Sequence, residues 1–304
     1  MFLMAFYSIK PLIPRRLQLG IRRIRALVKR RTQKAVWPID EKAAAIPKYW
    51  NGWPEGKKFA FVLTHDVESA YGHEKCRNLA RLDLESGFRS CFNFIPERYE
   101  FSPALREELI ENGFEVGVHG LYHDGKYFFS RKDWEERARR INQYLSAWGS
   151  VGYRTPSMLH NLEWILDLDI EHDSSTFDTD PFEPQCDGVG TIFPFRVPPI
   201  GDGQRGYVEL PYTLPQDFTL FMMLGEAGPS LWKEKLSWIA EKGGMALMIT
   251  HPDYMNFNGQ CRTAYGYPSE YYREFLDHVR TEYAGRYWNA LPRDVARHIR
   301  ATLG

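Results

Sequence analysis

The feature that most constrains this chain is an alternation running through its body. Short apolar, β-branched or aromatic runs are each followed by a stretch with helical spacing. Lys58 to His65, Ser90 to Ile95, Phe114 to Val118, Val151 to Tyr153, Leu168 to Ser174, Tyr207 to Tyr212 and Met245 to Thr250 have the composition of strands. Helices are predicted from Glu74 to Glu85, from Ser102-Pro103 to Asn112, from Ser130 to Trp148 and from Ser230 to Lys242. Their ends carry matching punctuation: Ser102 and Ser130 as N-caps, Pro103 where a missing N–H costs nothing, and Gly87, Gly113 and Gly243-Gly244 as stops. Such alternation implies an α/β protein with a mostly parallel sheet, open or closed into a barrel. In both arrangements, function sits at the carboxyl ends of the strands. No repeat or low-complexity tract interrupts residues 37–304, which are expected to form one domain.

Composition narrows the class. Of 304 residues, 43% are hydrophobic and 15% aromatic, which excludes a disordered chain. The four cysteines, at 76, 91, 186 and 261, form no C-x-x-C pair. That argues against a zinc ribbon or disulfide framework and fits free thiols in the cytoplasm. Net charge is zero, yet residues 1–39 hold ten Lys or Arg and no acid, leaving 29 bases against 39 acids in the remainder. Residues 1–36 are therefore a basic arm on an acidic body.

Within the arm, Met1 to Ile9 is mostly apolar, too short to span a bilayer and in the wrong order for a secretory signal. From Pro14 onward, Leu17, Ile21, Ile24 and Val28 share one helical face, with Leu27 beside them and arginines around the rest. Two partners fit: the inner face of an anionic membrane, or the body itself, with the Leu/Ile stripe packed inward. No aromatics interleave the basic residues, so nucleic acid is not expected.

The strand ends hold the chemistry. The first ends in His65-Asp66-Val67-Glu68, and side-chain alternation places Asp66 and Glu68 on one side and His65 and Val67 on the other. The third ends in His119-Gly120-Leu121-Tyr122-His123, an i,i+4 pair able to meet one metal. Two His with one carboxylate and an open position make a hydrolytic metal site. Arg154-Thr155-Pro156 offers an arginine to pair with a carboxylate. Asp173-Ser174-Ser175 and His251-Pro252-Asp253 follow, and a strand-end His is a candidate general acid. There is no G-x-S-x-G elbow and no phosphate loop.

In this order the five segments resemble the polysaccharide deacetylase superfamily, the NodB-homology or carbohydrate esterase family 4 group, over residues 57–290. The resemblance implies a distorted (β/α) barrel of about seven strands, a divalent metal, most often zinc, and hydrolysis of acetyl groups from amino sugars or sugar hydroxyls. By position it implies His119 and His123 as ligands, Asp66 as general base oriented by Arg154, His251 as general acid, and Asp173 as a residue orienting a neighbour. Many members carry two adjacent acids in the first motif. Val67 fills the second place here, so the chain is similar to a D-x-D subgroup with Glu68 as the final acid. Whether Glu68 or Asp66 is the third ligand stays open. Tyr122, Phe177 and Tyr254 lie close enough to the motifs to line a sugar groove. Two other readings stand beside the acylated-carbohydrate one: an amidohydrolase acting on a ureide, and a metal- or glycan-binding scaffold at a membrane.

Overall fold

The computed structural model describes residues 15–201, 205–257, 259, 262–263 and 265–303. The apolar tip Met1 to Ile9 lies outside them. The elements are helix α1 (Arg15–Thr32), β1 (Phe59–Val67), α2 (Ala70–Ser86), β2 (Ser90–Phe94), α3 (Pro103–Glu111), β3 (Glu115–Val118), α4 (Arg131–Trp148), β4 (Gly152–Tyr153), β5 (His172–Asp173), β6 (Phe195–Val197) and β7 (Tyr207–Glu209). After a π-helical turn at Phe218–Leu224 come α5 (Ser230–Lys242), β8 (Met245–Thr250), β9 (Met255–Asn256), β10 (Tyr267–Pro268), α6 (Glu270–Glu282), β11 (Tyr287–Asn289) and α7 (Pro292–Leu303).

The principal sheet runs β11-β1-β2-β3-β4-β5-β7-β6, with β8 also paired to β1. Every pairing in it is parallel except β6 with β7. The segment after β7 closes the ring: Tyr212 bridges to Phe177 and Leu214 bridges to Met248 of β8. Strands β1, β2, β3, β4, β5, β7 and β8 thus form the expected distorted barrel, while β6 and β11 are additions at its edges. All nine residues of β1 are buried, as a central parallel strand covered on both faces requires. Helices start and stop where side chains satisfy free backbone groups: Ser69, Ser102 and Ser130 accept from the first turns of α2, α3 and α4, and left-handed Gly87 and Gly149 close α2 and α4.

Side-chain alternation in β1 is as expected. His65 points away from the barrel interior, with Nδ1 2.8 Å from Thr250 Oγ1 and Nε2 2.9 Å from Asp83 Oδ2 of α2. No strand or helix is predicted from the sequence beyond Thr250, where α6 and α7 follow. Yet α6 buries Tyr272, Phe275, Leu276 and Val279 at helical spacing.

Helix α1 packs against the π-helical turn with its orientation reversed from a helix that buries its apolar stripe. Its inward side chains are Ala26 and several cations: Arg23 Nε donates to the Met222 carbonyl at 2.7 Å, Arg30 pairs with Glu226 at 2.6 Å, Lys29 reaches the Pro181 carbonyl, and Arg22 lies 5.1 Å over the Phe218 ring. The acidic body does meet the basic arm, but the apolar stripe does not pack on it.

Candidate active site

The carboxyl ends of β1, β3, β4 and β8 share one rim, and strand register decides which side chains meet there. Val118 pairs with Tyr153, so the residues that follow, His119 and Arg154, come together: His119 Nδ1 lies 3.0 Å from the Arg154 carbonyl oxygen. A carbonyl only accepts, so Nδ1 carries the ring proton and Nε2 is left as a lone pair. Burial lowers the His119 pKa to about 4, which keeps the ring neutral.

Glu68, His119 and His123 each offer a ligand atom, and the three atoms lie within 4.8 Å of one another. Glu68 Oε1 is 2.8 Å from His123 Nε2. That nitrogen is buried and makes no hydrogen bond of acceptable geometry despite this approach. Atoms that converge without sharing a proton are what a cation ligated by both would require, so the group fits a metal. Burial pushes the Glu68 carboxyl up, but His123, His251 and His119 outweigh it and hold it well below the usual carboxylate range. Tyr254 donates to Glu68 Oε2 at 3.0 Å, and Asp253 accepts from the Glu68 backbone N–H at 3.0 Å.

Asp66 occupies the opposite wall and is 2% exposed. Its Oδ1 accepts from Arg154 Nη1 at 2.8 Å and from Asn93 Nδ2 at 2.9 Å, whereas Oδ2 faces His119 Nε2 at 3.8 Å. Arg154 is itself fully buried and also donates to Thr64 Oγ1 at 2.8 Å and to the Ser174 carbonyl at 2.9 Å. Burial raises the Asp66 pKa, but Arg154, His119 and His251 outweigh it and bring it to about 2. With Oδ1 saturated and Oδ2 turned to the cavity, Asp66 has the geometry of a proton acceptor more than of a ligand, and Glu68 is the carboxylate grouped with the histidines.

His251 follows β8 and presents Nε2 to the same space, 3.9 Å from Glu68 Oε1. Its Nδ1 is 2.7 Å from Asp217 Oδ1. Asp217 is fully buried and also accepts from the His251 and Phe218 backbone N–H groups and from the Tyr267 hydroxyl. Burial would lower the His251 pKa, but Asp217 overrides it and raises it to about 10, so the imidazole is protonated at neutral pH.

Sequence reasoning missed Asp217 and Asn93. Register was the available signal for Asn93, which pairs with Asp66 across β1 and β2. Asp217 lies three residues after Leu214 and His251 three after Met248, and those two are bridged in parallel. No strand pattern in the sequence announces that bridge.

The remaining expected residues lie around this group, except Phe177. Asp173 does not reach His251 or the histidine pair: its carboxylate accepts from the Ser175 hydroxyl at 2.7 Å, and Ser175 Oγ accepts from the Thr155 N–H at 2.8 Å. It orients the Arg154 turn through Ser175. Phe177 is fully buried against Tyr212, with ring centroids 5.5 Å apart, and has no surface to offer a sugar. Tyr122, which lies between the two histidines in sequence, is half-buried and turned to α4, its hydroxyl accepting from Arg140 at 2.8 Å. Tyr254 packs 5.2 Å from the His251 ring.

No family model and no curated protein matches the sequence. Solved structures do match in fold. A protein assigned as a polysaccharide deacetylase from Mycobacterium smegmatis aligns with TM-score 0.62 and 20% identity over 83% of this chain and 93% of its own. PuuE allantoinase aligns with TM-score 0.64 and 13% identity over 82% of this chain and 93% of its own. A protein assigned as a polysaccharide deacetylase from Pseudomonas aeruginosa PAO1 aligns with TM-score 0.63 and 14% identity over 81% of this chain and 92% of its own. The chain has the barrel fold these proteins share.

Proposed function

We propose that this chain is a metal-dependent hydrolase that removes an acetyl group from an amino sugar or sugar hydroxyl. The observation that carries the reading is the arrangement on one rim: a Glu68–His119–His123 group flanked by an Arg154-held carboxylate on one side and an Asp217-held imidazolium on the other. An anionic proton acceptor and a cationic proton donor facing one ligand group are the parts that acyl transfer to water needs.

Glu68, His119 and His123 would hold the cation, and two imidazoles with one carboxylate suit zinc. A divalent ion there supplies Lewis acidity toward the acyl oxygen and toward water. Asp66 Oδ2 takes a proton from water as the water oxygen adds to the acyl carbon, while Arg154 and Asn93 keep Oδ1 occupied and the carboxylate aimed. His251 Nε2–H gives its proton to the departing nitrogen or oxygen as the C–N or C–O bond breaks, and Asp217 holds the ring through Nδ1. The water proton thus ends on Asp66 and the imidazolium proton on the leaving group.

The carbohydrate reading draws on the polysaccharide deacetylases that share the fold. The allantoinase match, of similar TM-score, is the reason to keep ureide hydrolysis as the second reading. A scaffold without catalysis would need Glu68 to be unable to ligate, and its 2.8 Å approach to His123 speaks against that. The test is acetate release by zinc-loaded full chain from a panel of N- and O-acetylated saccharides, with allantoin alongside. Acetate from a saccharide and no allantoin turnover is the expected outcome; allantoin turnover alone would replace the reading, and inertness toward the whole panel would sink it.

A further inference from the structure

Helix α1 presents an anomaly that the catalytic site does not use. Ile21, Ile24, Leu27 and Val28 are 46%, 66%, 46% and 56% exposed. At about 100° per residue these four span about a third of the helix circumference. The opposite face, through Arg22, Arg23, Ala26, Lys29 and Arg30, is the one that meets the body. A surface helix ordinarily buries its apolar stripe and solvates its charges. Here the charges are tied to the protein and four large aliphatic side chains form a continuous ridge facing outward.

We propose that this ridge docks α1 on the surface of an anionic phospholipid bilayer. Three observations select that occupant. The ridge is purely aliphatic and one helix wide, with exposed Arg25 beside it and exposed Arg31 and Lys34 following, so cations stand at headgroup level around an apolar strip. Residues 1–39 contain ten cations and no acid, so nothing in this part of the chain repels a negative surface. The chain preceding α1 continues as Met-Phe-Leu-Met-Ala-Phe-Tyr-Ser-Ile, an aromatic-bearing apolar sequence of the composition that enters an acyl boundary. Among the described residues no helix is long and apolar enough to cross a bilayer. Docking through the ridge also places the membrane near the catalytic rim: Arg22 covers Phe218, Phe218 packs 5.2 Å from Tyr254, and Tyr254 bonds Glu68. The inference stands independently of which bond the site hydrolyses.

The experiment is co-sedimentation of the full chain with vesicles of phosphatidylcholine alone and of phosphatidylcholine mixed with phosphatidylglycerol. Binding to the mixed vesicles, weakened by salt, is expected, with little binding to the neutral ones. Ile24→Asp and Leu27→Asp should each lower the partition coefficient by about tenfold or more, since each removes a large aliphatic contact. Ile110→Asp, at an exposed isoleucine of α3, should leave it unchanged. Thermal melts equal to wild type confirm that the variants are folded. No sedimentation of the wild type, or undiminished binding by Ile24→Asp, overturns the proposal. So does a wild type that is a dimer in solution, split by Ile24→Asp, with neither form binding vesicles: the ridge would then be covered by a second copy.

Discussion

Replacing Asp217 by Asn tests the proton-donor half of the site. The substitution keeps the shape and removes the charge that holds His251. The contact is 2.7 Å long and both partners are buried. A hydrogen bond to a charged group in such a place contributes about 1.5–3 kcal/mol, which corresponds to roughly a 10- to 150-fold fall in rate if it is lost from the proton-transfer step. Asn also brings an NH₂ against donors, because both Asp217 oxygens already accept two bonds each, from His251 Nδ1 and the Phe218 N–H and from the His251 N–H and the Tyr267 hydroxyl. That costs about 1–3 kcal/mol of stability.

The pH dependence has a definite sign. His251 is raised from 6.5 to about 10. Its stabilising contribution is complete below 6.5 and disappears as pH rises through about 10. In Asp217→Asn the imidazole returns toward its ordinary range, so the alkaline limb of kcat moves down and the alkaline loss of stability shrinks. Acetate release against pH, with KM followed separately, is the assay. A variant with the wild-type rate and an unmoved alkaline limb would refute the assignment of His251 and Asp217 as a working pair.

Further expectations concern the other wall and the loop between the histidines. Arg154→Met leaves Asp66 buried without its cation, which should destabilise by about 3–5 kcal/mol in a denaturant titration. Asp66, depressed from 3.8 to about 2, contributes stability present above pH 3.8 and lost as pH falls through about 2, so the stability gap between wild type and this variant should be widest near neutral pH and narrow as pH falls through that window. Gly120→Ala places a methyl 2.2 Å from Tyr127 Oη at a φ of +65°, and should cost about 2–4 kcal/mol and weaken metal retention, measured by thermal melting and metal analysis. Tyr254→Phe removes the donor to Glu68 Oε2 and should lower metal affinity by about 10- to 100-fold, read by competition with a chelator.

Much of this site was legible because strand geometry is regular. Period-two alternation along β1 separates Asp66 and Glu68 from His65, and His65 is indeed turned outward onto Asp83. The i,i+4 spacing brings His119 and His123 to one centre with Glu68. What stayed hidden depends on closure of the ring. Asp217 meets His251 only because Leu214 bridges Met248, a single contact in an irregular stretch between β7 and the π-helical turn. Phe177 had the composition of a groove residue, yet its bridge to Tyr212 is part of that same closure and draws it into the core. The helix α1 pattern was visible, but a periodicity gives a stripe and not the direction it faces; the hydrogen bonds of Arg23 and Arg30 set that.

Everything proposed for the site depends on Glu68, His119 and His123 holding a metal ion together. Calorimetric titration of Zn²⁺ into the metal-free full chain tests it most directly. Saturable binding of one ion per chain is expected, with that heat absent in His123→Ala and in Glu68→Ala. Absence of binding in the wild type, or the same binding isotherm in both variants, would contradict it.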